Sequence, residues 1–137
     1  MTESDFVLNA RLKQDTFFIR DMTLSTVLLM NNAHIPWVIL VPKRDDVTSI
    51  LDLSSADYDI LTSEIRHVAQ LMQNLFNPER LNIASLGNVV SQMHWHIICR
   101  FTDDICFPKP VWGNIPDMPY KAERANDIIQ RIQDVLK

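Results

Sequence analysis

Apolar positions fall in short crowded runs along most of the chain and at helical spacing in two longer stretches, which predicts strands interrupted by helices. Phe6, Leu8 and Leu12 mark a short N-terminal helix with Ser4 as its cap. Phe17 to Arg20 and Ser25 to Met30 are β-branched, aromatic and apolar, and the polar Asp21-Met22-Thr23 break between them predicts a hairpin. Asn31 to Pro36 reads as a turn. Trp37 to Val41 is a continuous apolar run, as in a strand buried on both faces, and ends at Pro42-Lys43-Arg44. Leu61, Ile65, Val68, Met72 and Leu75 recur in steps of four and three and trace one stripe of a helix. That helix opens with Ser54 and Asp57 at capping-box spacing and stops at Asn77-Pro78.

Beyond the helix, Leu81 to Leu86 predicts a strand, Gly87-Asn88 a turn, and Val89 to Phe101 one long strand. The chain has only two glycines, Gly87 and Gly113, so each marks a backbone position that a side chain obstructs. Phe107 to Pro116 is too proline-rich for a helix or a central strand, yet carries Phe107, Val111 and Trp112, as a loop wrapped over an apolar surface does. From about Tyr120 a closing helix places Ala125, Ile128, Ile129, Ile132 and Leu136 on one face. Antiparallel strands with helices inserted and appended indicate an α+β fold. Residues 1–137 read as a single domain, with a core over about 17–105 and a C-terminal loop and helix over 107–137.

Composition narrows the function. Apolar residues at 47% and charged residues at 22% are ordinary globular values over 137 residues. A net charge of -4 argues against coating nucleic acid or an anionic membrane through bulk electrostatics, so an anionic ligand must be met locally. The polar, acidic N-terminus has no signal-peptide pattern, and no apolar run approaches membrane-spanning length. Cys99 and Cys106, in a chain with no sign of secretion, point to reduced thiols in the cytoplasm.

The chemistry is expected in Gln92-Met93-His94-Trp95-His96-Ile97-Ile98. On a strand, alternate side chains share a face, so Gln92, His94 and His96 form a polar row backed by Met93, Trp95 and Ile97. Three readings compete. A metal site needs a third ligand besides the two imidazoles, with His34, His67, the cysteines or carboxylates as candidates, and no Glu follows shortly after His96. His67, beside Arg66 on the long helix, reads as a surface residue. The row could also be a solvated strand face. In the third reading a neutral imidazole attacks phosphorus or carbonyl while the neighbouring groups hold the developing charge.

The stretch resembles the histidine-triad (HIT) signature, His-φ-His-φ-His-φ-φ with φ apolar, with Gln92 in place of the first histidine. Val38-Ile39-Leu40-Val41-Pro42-Lys43, the Asp52-Leu53 lead into the helix and Gly87-Asn88 are also similar to that family, and about Leu24 to Phe101 is covered in the correct order. The resemblance implies a HIT-like fold and a hydrolase or transferase acting on nucleoside phosphoramidates or dinucleoside polyphosphates. His94 is then the nucleophile, forming a covalent nucleotidyl-histidine, and His96 donates to the phosphoryl oxygens. Gln92 orients His94 through its backbone carbonyl while its amide donates to phosphate. A catalytically weak nucleotide-binding or regulatory module, and a metal-dependent enzyme using His94 and His96, are the alternatives.

The family often carries a Ser or Thr where this chain has Val89, and a His where it has Trp37. Leaving-group protonation then falls to Asn88, Ser91 or water, and Trp37 reads as core packing. By the same resemblance Asn31 or Asn32 binds the ribose, and Lys43 and Arg44 are local cations at a strand end. Arg100 serves phosphate or pairs with Asp103 or Asp104, and Trp112 covers the histidines of its own or a second subunit. A homodimer formed by extending the sheet is implied, with no metal or other cofactor.

Overall fold

The structure, a computed structural model, describes residues 5–137. Five strands, β1 (Thr16–Asp21), β2 (Ser25–Met30), β3 (Trp37–Pro42), β4 (Arg80–Ala84) and β5 (Trp95–Arg100), form one antiparallel sheet in the order β1-β2-β3-β5-β4. Helices α1 (Ala10–Asp15), α2 (Ser55–Phe76) and α3 (Ala122–Val135) complete an α+β fold. The expected hairpin is β1–β2, and β3 is buried along its whole length, as its unbroken apolar run requires. Side chains of Val38, Leu40, Trp95 and Ile97 share one face with Val27 and Leu29, because cross-strand partners point the same way. The other face carries Leu28, Trp37, Ile39, His96 and Ile98.

Helix α2 contacts β5, and α3 packs against α2 and β1. Leu61, Val68 and Met72 are the buried part of the predicted stripe; Ile65 and Leu75 are half-buried. Glu64 is buried on α2 as well, and its carboxylate accepts from the backbone N–H groups of Leu24 and Ser25 at 2.9 Å each, pinning the start of β2. Asn77 closes α2 in the left-handed conformation, its N–H donating to the Gln73 carbonyl. In α3, Ala125, Ile128 and Ile132 are buried, and Leu136 follows them into the core.

Four sequence expectations need correction. Gly87 and Gly113 have open space where a side chain would stand, and what calls for glycine there is the backbone, at φ +74° and +80°. Ser4 lies outside the described residues, and α1 begins at Ala10 with Asn9 as its cap, whose side chain accepts from the N–H groups of Arg11 and Leu12. Ser54 does cap α2 through the Asp57 N–H, but the Asp57 carboxylate is taken by Arg44 at 2.8 and 3.2 Å; the complete box is Ser49 with Asp52, around the short 3-10 turn Ile50–Asp52. The strand predicted from Val89 starts only at Trp95. Residues 89–94 run irregularly, held by the Met93 N–H on the Val47 carbonyl.

At the far end of β5 the fully buried Arg100 pairs with Asp104, Nε to Oδ2 at 2.9 Å and Nη2 to Oδ1 at 3.2 Å. Its remaining donors reach the Asn82 amide oxygen and the Lys109 carbonyl, while Asp104 accepts from the N–H groups of Phe101, Cys106 and Phe107. Every guanidinium nitrogen and both carboxylate oxygens of this ion pair have a partner, and it folds the loop after β5 back toward the sheet, delivering Val111 to the core. Arg100→Met should therefore strand a buried carboxylate and lower unfolding stability by about 3–5 kcal/mol, read from urea denaturation.

Candidate active site

The register of β3 against β5 sets Ile39 opposite His96 and Trp37 opposite Ile98, so Trp37 and His96 are diagonal neighbours on one face. Trp37 Nε1 donates to His96 Nδ1 at 3.0 Å. An indole N–H has no acceptor capacity, so His96 Nδ1 bears the lone pair and the ring proton sits on Nε2. His94, just ahead of the strand, has its Nδ1 2.7 Å from the backbone carbonyl of Gln92. A carbonyl only accepts, so here Nδ1 carries the proton and Nε2 the lone pair. The two rings lie 5.0 Å apart between centroids, at 69°. Both are buried, His94 to 7% and His96 to 4% exposure. Burial, and to a smaller extent the neighbouring His94, pushes His96 down to about 4, so it is neutral at physiological pH.

A cleft of about 220 Å³ opens onto these histidines, with Arg11 and Asp15 of α1 on one side and Asn88 and Val89 at the rim. Trp112 from the loop after β5 lies edge-on to His96 with centroids 5.1 Å apart, so the covering tryptophan comes from the same chain. Trp37 is buried, as core packing requires, and also makes the hydrogen bond that fixes His96. Ser91 is exposed and does not line this cleft, whereas Asn88 does.

Asn31 and Asn32 line an adjoining hollow of about 400 Å³ that shares Asp15 and Met30 with the cleft. Their side chains hold the segment ahead of α3, Asn31 Oδ1 accepting from the Tyr120 N–H and Asn32 Nδ2 donating to the Pro116 carbonyl.

The Gln92 side chain does not face the cleft: its Oε1 accepts from the Asn9 N–H at 2.8 Å and its Nε2 donates to the Val7 carbonyl at 3.0 Å, which corrects the expectation that it meets phosphate. Lys43 donates to the Met22 carbonyl and Arg44 pairs with Asp57, so neither lines the cleft, and Arg100 is consumed by Asp104. Arg11 and Asp15 are the residues that sequence reasoning missed; the available signal was Asn9, a good helix cap directly ahead of them. Among the described residues no group of three or more His, Cys, Asp or Glu side chains is placed to hold a metal ion. His67 is exposed and lines a separate hollow, and Cys99, pushed up to about 12 by burial, is a protonated core thiol.

Residues 11–103 match the family model of the HIT domain. The chain belongs to the HIT domain family. Its fold matches that of a histidine triad protein from Bradyrhizobium japonicum with a TM-score of 0.94 and 38% identity, covering 96% of this chain and 98% of that one. A histidine triad protein from Sinorhizobium meliloti gives 0.95 and 36%, with 98% and 100% covered. The HIT fold is also shared with a diadenosine triphosphate hydrolase of Plasmodium falciparum, at a TM-score of 0.63 and 20% identity, covering 95% of this chain and 82% of that one. No curated protein matches the chain. No helix among the described residues is long and apolar enough to cross a membrane.

The depressed His96 should make this HIT domain acid-sensitive. Unfolded, the imidazole titrates at its usual 6.5; folded, at about 4. Between those values the unfolded state binds more protons, so this contribution is complete above pH 6.5 and is lost as pH falls toward 4, by up to about 3 kcal/mol. Urea midpoints measured from pH 7.5 to 4 should fall more steeply for wild type than for His96→Asn; parallel curves would refute the assignment.

Proposed function

We propose that this HIT domain cleaves a nucleoside phosphoramidate or dinucleoside polyphosphate through a covalent nucleotidyl-His94. The observation that carries the reading is the hydrogen bond from His94 Nδ1 to the Gln92 carbonyl, because it leaves Nε2 as a lone pair beside the neutral donor His96. The Nε2 lone pair attacks the α-phosphorus; the bond from phosphorus to the amine nitrogen or bridging oxygen breaks, and the leaving group departs with that electron pair. The imidazolium left on His94 is stabilised by its Nδ1–H on the Gln92 carbonyl. His96 Nε2–H donates to the phosphoryl oxygens, where negative charge rises. Water then attacks the same phosphorus, the bond to Nε2 breaks, and a nucleoside monophosphate and a proton are released.

The nucleotide's phosphate would occupy the histidine cleft, with Arg11 as its cation, and the nucleoside would extend into the hollow by Asn31 and Asn32. Val89 is 76% exposed at the rim and has no proton to give, so water would protonate the leaving group, with the Asn88 amide steadying it by a hydrogen bond. That rim supports a second reading, a nucleotide-binding module with little turnover. Two copies would pair along the outer edge of β4, where Ile83 and the following Leu86 are exposed. The buried, unpaired Cys99 and Cys106 suit a reducing cytoplasm.

Incubation with adenosine 5′-phosphoramidate and a base quench should give an adenylyl adduct by intact mass. His94→Ala should abolish the adduct and lower turnover about a thousandfold or more. His96→Asn should retain some adduct and lose about a hundredfold. Binding of AMP by wild type without adduct or turnover would favour the binding module instead.

A further inference from the structure

Helix α1 supplies one wall of the cleft, yet at six residues it is too short to be stable by itself. Its C-terminal end is built into the sheet: Thr16 pairs with Met30, and the Asn31 N–H donates to the Asp15 carbonyl. The N-terminal end has no such ladder. It is held by Leu12 in the core and by Gln92, whose amide grips the backbone on both sides of Leu8, accepting from Asn9 and donating to Val7. Asn9 in turn caps the first turn of α1, which carries Arg11 at the cleft. The main-chain carbonyl of the same Gln92 takes the Nδ1–H of His94. One residue thus joins the nucleophile's orientation to the wall's position, through chemically separate groups.

We propose that Gln92 is a positioning residue whose side chain clamps the N-terminal segment so that α1 closes the histidine cleft, setting affinity for the nucleotide rather than the rate of chemistry. The inference rests on the nucleotide reading for its ligand but not for the clamp itself. A carboxamide suits the task because one planar group offers an acceptor to the Asn9 N–H and a donor to the Val7 carbonyl. Gln92→Met keeps the length and the main-chain carbonyl and loses both contacts. Gln92→Glu, ionised, keeps the acceptor alone.

Amide exchange by mass spectrometry on the full chain, AMP affinity by calorimetry and steady-state cleavage of adenosine 5′-phosphoramidate form the test. Gln92→Met should speed exchange over residues 8–15 about tenfold, leaving β3 and β5 amides at wild-type protection. AMP affinity should weaken and KM rise by about five- to tenfold, with kcat within about threefold; Gln92→Glu at pH 8 should fall between. Unchanged exchange over residues 8–15 overturns the proposal, as does increased exchange across the whole sheet, or a fall in kcat at constant KM. If wild type neither cleaves the phosphoramidate nor binds AMP, the proposed function fails, and exchange alone decides whether the clamp exists.

Discussion

The hydrogen bond from the Trp37 indole to His96 is the constraint around which the cleft is arranged, because a donor that cannot accept dictates where the imidazole keeps its proton. Nδ1 must hold the lone pair, so Nε2–H is presented. A second proton could enter only at Nδ1, against the indole N–H, and burial already disfavours the charged ring. Two residues earlier the logic reverses: the Gln92 carbonyl demands a proton on His94 Nδ1 and leaves its Nε2 bare. Adjacent imidazoles of one chemical type thus present opposite groups, a bare Nε2 on His94 and an Nε2–H on His96, which are the groups that the proposed reaction needs. Both partners are rigid, one a main-chain carbonyl and the other a buried indole on the central strand.

Such fixity depends on polar groups being satisfied away from the cleft. Asp104 shows how this is done: burial opposes its ionisation, but hydrogen bonds from Arg100 and from the N–H groups of Phe101, Cys106 and Phe107 outweigh that and hold the carboxyl down at about 2. The loop they shape carries Trp112 to the edge of His96. On the opposite face of β5, Trp95 shows the contrast. Its indole N–H is buried beside Leu24, Leu61 and Met93 with no hydrogen-bond partner among the described residues, a burden of about 1–3 kcal/mol that packing must offset. Two tryptophans on neighbouring strands have the same donor, and Trp37, diagonal to His96, gives its own to a histidine nitrogen.

Much of this was legible in the sequence because it is written in local periods. The unbroken run at Trp37–Pro42 gave the central strand, the stripe from Leu61 to Leu75 gave α2, and the step of two between His94 and His96 placed both rings on one side. The illegible parts are set by contacts distant in sequence. Val89 to His94 has the composition of a strand, but the Val47 carbonyl takes the Met93 N–H and the ladder begins only at Trp95. Asp57 sits at the spacing of a capping box, yet Arg44 outbids the Ser54 backbone for its carboxylate, a bidentate ion pair against one neutral hydrogen bond. Trp37 looked like packing because no local rule says that a histidine nitrogen waits 59 positions along the chain. Arg11 and Asp15 were hidden for a similar reason, since Asn9 ahead of them marks a helix but not the cleft which that helix borders.

A glutamine at position 92 is compatible on physical grounds with the reading that sets it at the first position of a histidine triad. Orientation of His94 needs a carbonyl oxygen at one point in space, and every residue type has the same main-chain carbonyl, so the side chain at that position is released from the requirements of the His94 ring. What the cleft then lacks is charge rather than geometry. His96 is neutral, Arg11 and Asp15 lie 3.6 Å apart and are largely exposed, and an ion pair so placed is weak and easily redirected. In the proposed reaction a phosphate would compete with Asp15 for Arg11 at little cost, and its developing oxyanion would meet a donor already desolvated. A neutral, pre-oriented N–H loses no charge when the leaving group departs, which favours reactions whose barrier lies in positioning and bond making at phosphorus over those that depend on early proton transfer to the leaving group.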